Sequence, residues 1–123
     1  MSLISKSVLV ALSGVILGAA VVSAQKSKPE AQTGTAAYYS HVFEGRATSN
    51  HGVFRSGGMT AASATLPLGT KVRVTNIKNN RSVVLRITDR YADKNRLIDI
   101  SKAAARKLGF IHAGTAQVKV EPI

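Results

Sequence analysis

The chain has no cysteine and no tryptophan, and only 6 of its 123 residues are acidic, against 17 lysines and arginines. Without cysteine there can be no disulfide scaffold, no thiolate zinc site and no cysteine nucleophile. A lipid-anchored leader cysteine is likewise not expected. The 3 histidines show no two-histidine metal spacing, so no metal is expected, and no other cofactor. No Gly-x-Ser-x-Gly elbow, phosphate loop or dinucleotide fingerprint occurs. Acids are so scarce that each remaining carboxylate is a candidate for chemistry.

The one long apolar run lies at the front, from Val8 to Val22, behind a lone charge at Lys6 and ahead of Val22-Ser23-Ala24. This is the pattern of a cleaved export signal over residues 1–24 rather than of a membrane span. Residues 25–34 are polar and read as a flexible linker, which leaves residues 35–123 as one domain. A net charge of +11 fits a polyanionic partner, or serves solubility alone. Export argues against nucleic acid. It favours carboxylate-bearing wall polymers met in a periplasm or outside the cell, by a monomeric domain with no membrane anchor once the signal is removed.

Val83, Leu85 and Ile87 alternate with Val84, Arg86 and Thr88, the period-two pattern of a strand that ends on Asp89. A carboxylate at a strand end can reach a surface groove while the strand holds it still. Lys71–Asn76 alternates in the same way. Ala36–Tyr39, Leu97–Ile100 and Ala116–Glu121 read as further strands, Met59–Ala62 as a short apolar stretch, and residues 44–58 as a long loop with a short strand near Gly52–Phe54. Ser101 starts a helix over residues 101–108, with alanines inside, basic residues in the last turn and Gly109 as the stop. Short strands, few aromatics and small size favour closure into a barrel, which hides strand edges.

Several segments follow one another in a familiar order: Ala37-Tyr38-Tyr39, Gly45-Arg46-Ala47-Thr48, Gly58-Met59-Thr60-Ala61-Ala62, Thr65-Leu66-Pro67-Leu68-Gly69-Thr70, Val72-Arg73-Val74-Thr75-Asn76, Asp89-Arg90 and Arg96-Leu97-Ile98-Asp99-Ile100-Ser101. Together they resemble the rare lipoprotein A (RlpA) family over residues 35–121. The resemblance implies a mainly β fold, a six-stranded double-psi β-barrel with one short helix. It also implies an endolytic peptidoglycan transglycosylase that leaves 1,6-anhydro-N-acetylmuramic acid ends on glycan strands. The same barrel occurs in expansins, which grip wall polysaccharide and mostly do not cleave it.

Two departures stand out. The family reads Thr-Ala-Ser-Gly-Glu-x-Phe/Tyr where this chain has Thr48-Ser49-Asn50-His51-Gly52-Val53-Phe54, so Gly52 stands in the place of the catalytic glutamate. The family's Asp-Arg-Gly-Pro-Phe is here Asp89-Arg90-Tyr91-Ala92-Asp93. Asp89 is therefore the expected catalytic acid, since one carboxyl group can give a proton and then take one back. Glu44, His51 and Asp93 are candidate substitutes for the missing glutamate. Tyr38, Thr48, Asn50, Arg81 and Arg90 are expected to bind substrate, and Tyr39 and Tyr91 could join the groove wall. Asp99 is expected to tie strand to helix beside Ser101. The alternative is a wall-binding barrel without catalysis, resting on Gly52. A second acid or a histidine close to Asp89 would separate the two.

Overall fold

The computed structural model describes residues 30–40, 43–90 and 95–123. The expected signal, and the readings placed on Tyr91 and Asp93, lie outside them. Six strands form a closed barrel: β1 (Gln32–Tyr38), β2 (Thr60–Ala62), β3 (Lys71–Asn76), β4 (Ser82–Asp89), β5 (Ile98–Ile100) and β6 (Thr115–Pro122). Around the barrel the order is β1-β5-β2-β4-β3-β6, and β6 pairs back onto β1. The pairs β1/β5 and β2/β4 are parallel; the others are antiparallel. This is the double-psi β-barrel that the sequence motifs implied.

Alternation builds the core. Val72 and Val74 of β3, Leu85 and Ile87 of β4, Ile98 and Ile100 of β5, and Val118 and Val120 of β6 are all buried inside. Each such side chain contributes roughly 1.5–3 kcal/mol on burial. Among the described residues one helix, α1 (Lys102–Leu108), closes one end with Ala104, Ala105 and Leu108. Its caps are those read from the sequence: Ser101 Oγ accepts from Ala104 N at 3.2 Å, and Gly109 ends the helix at φ 82°.

The domain begins earlier than residue 35. Gln32, Thr33 and Gly34 pair with Val120, Lys119 and Val118 of β6, so part of the expected linker is strand. The hydrogen bonds there are backbone to backbone, and they form without an apolar side-chain pattern. Near Gly52–Phe54 only an isolated bridge forms, between Ala47 and Val53.

One irregularity positions the site. Between β2 and β4 the register shifts, so that Ala61 lies opposite Ile87 but Ala62 lies opposite Asp89. Thr88 is the extra residue of a bulge, a device that re-aims side chains. Ala62 also lies opposite Asp99, and Asp99 lies opposite Ala37. A single row thus runs Ala37–Asp99–Ala62–Asp89 across four strands, on the side of the sheet away from Ile98, Ile100 and Ala61.

Candidate active site

A cleft of about 400 Å³ lies over this row, lined among others by Tyr38, Tyr39, Phe43, Asp89, Arg96 and Asp99. Asp89 is fixed by three donors on one oxygen. Its Oδ1 accepts from Ser49 N at 3.1 Å, from Arg90 N at 2.8 Å and from the Ser49 hydroxyl. Among the described residues Oδ2 receives no donor, which leaves it for a ligand.

The lip carrying Ser49 is a tight turn docked on the end of β4. Asn50 N donates to Thr88 O at 3.2 Å, and His51 N to Thr48 O at 3.0 Å. His51 has φ 69°, left-handed backbone that histidine tolerates better than most side chains. In the family pattern a glycine holds this position and the glutamate follows it. Here the glycine has moved one place on, to Gly52. Thr48 Oγ1 and Asn50 Oδ1 both accept from Gly52 N, at 3.1 and 3.2 Å, and Thr48 also pairs with Asn50. Both side chains thus brace the turn, and neither lines the cleft.

Tyr39 is the aromatic centre. Its ring stacks on Phe54 with centroids 4.4 Å apart and meets Phe43 edge-on at 5.7 Å. Burial, then the charge of Asp89, then that of Asp99, push its hydroxyl far above the ordinary tyrosine value. It therefore stays protonated near neutral pH, facing the charges of both carboxylates. Tyr38 also lines the cleft, with its own hydroxyl donating to Ile111 O at 3.0 Å.

Other expected residues take different places. Glu44 accepts from Ser56 N at 2.7 Å and lies 3.5 Å from Arg55. The Ser56 backbone and hydroxyl, with a smaller share from Arg55, hold its carboxyl below the usual range. His51 is exposed at the turn. Arg90 borders the cleft, but its guanidinium donates to the carbonyls of Leu66 and Ser63 and so anchors the β2–β3 loop. Arg81 is at the far end of β4 against Gly109; eight residues at about 3.3 Å each put it some 25 Å from Asp89. Ser101 caps the helix through its own side chain, and Asp99 has a place in the cleft. It lies 3.5 Å from Arg96 and lines the cleft. A larger cavity of about 620 Å³ near Phe110, Ala113 and Ala116 has no acid in its lining. Its amides are committed: Asn76 and Asn79 both donate to Leu108 O.

Sequence reasoning missed Ser49 and did not place Asp99 in the cleft. The signal for Ser49 was slight, a hydroxyl where the family pattern has alanine. None existed for Asp99, because the row that places it depends on pairings between distant segments.

The family model described as lytic transglycolase matches residues 31–120. The endolytic peptidoglycan transglycosylase RlpA of Neisseria meningitidis serogroup A is 52% identical over 93 residues, which cover 75% of this chain and 39% of the relative. This chain belongs to the RlpA family. The RlpA of Pseudomonas aeruginosa strain UCBPP-PA14 is 46% identical over 111 residues, 88% of this chain and 32% of the relative. The chain thus spans about two fifths or less of the RlpA relatives it matches. Among solved structures, the Streptomyces papain inhibitor superposes with TM-score 0.63 at 21% identity, covering 78% of this chain and 96% of that one. A Clavibacter michiganensis expansin mutant in complex with cellohexaose gives TM-score 0.60 at 21% identity, covering 76% and 50%. Both share the fold of this RlpA-family domain.

Proposed function

We propose that this domain is an exported peptidoglycan lytic transglycosylase in which Asp89 is the acid and base. The observation that carries the reading is Asp89 itself: three donors lock one carboxylate oxygen while the other remains available beside an aromatic-walled cleft. Protonated Oδ2 gives its proton to the glycosidic oxygen as the bond to the anomeric carbon breaks. The muramic 6-hydroxyl then attacks that carbon, and its proton returns to Oδ2. A 1,6-anhydro ring forms and no water is consumed. The substrate is peptidoglycan glycan strands, and the basic surface suits their carboxylate-bearing peptides. The protein works outside the cytoplasm as a monomer, delivered by residues 1–24.

The test is digestion of purified peptidoglycan by protein recovered after expression of the full chain, beside Asp89→Asn, with products read by mass spectrometry. Release of 1,6-anhydro ends by the wild type alone supports the reading. Gly52 favours a second reading, a wall-binding barrel without catalysis. Sacculus binding with no anhydro product would establish it.

A further inference from the structure

Gly52 leaves the site with one obvious acid, yet the cleft holds two. We propose that Asp99 is the second catalytic carboxylate of this domain, facing the anomeric carbon of a bound glycan from the cleft floor while Asp89 handles the proton. The inference rests on the transglycosylase reading and deepens it.

Asp89 and Asp99 flank Ala62 in one cross-strand row. At a strand spacing of about 4.8 Å, their α-carbons lie about 10 Å apart. Between them stands only the methyl group of Ala62, so nothing at that row position fills the gap. Both carboxylates line the same cleft. Their charges also meet at Tyr39, whose hydroxyl feels Asp89 and Asp99 together. Asp99 is buried, 7% exposed, with its Oδ1 against Arg96, and it lines the cleft while shielded from bulk water. A charge so placed acts more strongly than one in solvent. Arg96, at 3.5 Å, offsets the cost of burying it.

The chemistry divides between the two groups. As the glycosidic bond breaks, its electron pair leaves with the oxygen that Asp89 protonates. Positive charge develops on the anomeric carbon and ring oxygen. The fixed negative charge of Asp99 stabilises it until the 6-hydroxyl closes the anhydro ring. Placed charge of this kind is among the largest contributions to catalysis.

The experiment compares wild type, Asp99→Asn and Asp99→Glu in the peptidoglycan digest, alongside sacculus binding, thermal unfolding and ultraviolet tyrosine titration. Asp99→Asn is expected to lose about 100-fold or more in cleavage rate with binding retained. Its last tyrosine to ionise should titrate at lower pH, because one of the two charges opposing the Tyr39 phenolate is gone. Asp99→Glu keeps the charge and the reach to Arg96 but moves the carboxylate by one methylene. It should fold and still lose about tenfold or more. A purely structural ion pair predicts unchanged cleavage in Asp99→Glu, and that result overturns the proposal even where Asp99→Asn does not fold. An active wild type with a folded Asp99→Asn of equal rate overturns it as well, leaving Asp89 and the transglycosylase reading intact. An inactive wild type overturns that reading, and this proposal with it.

Discussion

Ser49 donates twice to one oxygen of Asp89, through its backbone N–H at 3.1 Å and through its hydroxyl. The two residues are 40 positions apart, so this contact joins the turn at the lip of the cleft to the end of β4. Ser49→Ala removes the hydroxyl bond and spares the backbone one. Stability should fall by about 0.5–1.5 kcal/mol. Cleavage should fall by about 3–30-fold, because the carboxylate loses one of its orienting donors. Thermal melts and anhydro-product rates check the two effects separately. An unchanged rate would show that Arg90 N and Ser49 N suffice to orient Asp89.

Restoring the family residue by Gly52→Glu should raise cleavage by about tenfold or more, since general acid–base assistance contributes at least that much. The backbone permits it, because Gly52 does not occupy the left-handed region. Its new Cβ would lie 3.2 Å from Asn50 Oδ1 and 3.4 Å from Thr48 Oγ1, so the turn must give by a few tenths of an ångström and a small drop in melting temperature is expected. A rate no higher than wild type would show that a carboxylate at this position takes no part in the chemistry of this site.

Tyr39→Phe keeps the stack on Phe54 and removes the hydroxyl of this half-buried residue. The hydroxyl titrates above its unfolded value of about 10, so the folded protein holds the proton where the unfolded chain has released it. Stability from this group is therefore complete below that pH and is lost as pH rises beyond it. Wild type should unfold more steeply with alkali than Tyr39→Phe, and the variant should lack the latest tyrosine step. Melting curves from pH 8 to about 12 decide this. Parallel curves for the two proteins would contradict a Tyr39 hydroxyl raised by burial and by the two nearby acids.

Glu44→Gln should leave the cleavage rate within about twofold, because the carboxylate answers to Ser56 and Arg55 rather than to the cleft. Its depressed titration contributes stability above the ordinary carboxylate range, lost as pH falls through the folded value. The variant should accordingly show a shallower loss of stability in acid. A large loss of activity would instead place Glu44 in the chemistry.

The regular elements were legible because each is set by local pattern. β3 and β4 follow from alternation, and α1 from Ser101, its alanines and Gly109. Asp89 was legible as a strand-end carboxylate, and the motif order gave the barrel. What escaped depends on pairing at a distance. The first residues of β1 are polar and are held by β6 through backbone bonds alone. Asp99 sits between Ile98 and Ile100 and reads as a buried structural acid; only the neighbouring strands show that it shares a row with Asp89. The turn at Thr48–Gly52 looked like a set of sugar-binding side chains, whereas Thr48 and Asn50 spend their oxygens on the amide of Gly52.

The extra residue at Thr88 gives the β4 strand a phase as well as a sequence. Strict alternation after Ile87 would turn Asp89 toward the barrel interior; the bulge sets it beside Ala62 instead. The position of the acid is therefore encoded by a count of residues between Leu85 and Arg90 rather than by any side chain there. Single-residue deletions in this stretch should be far less tolerated than substitutions at Thr88, since a change of length carries the carboxylate to the other side of the sheet while a change of side chain leaves the frame intact.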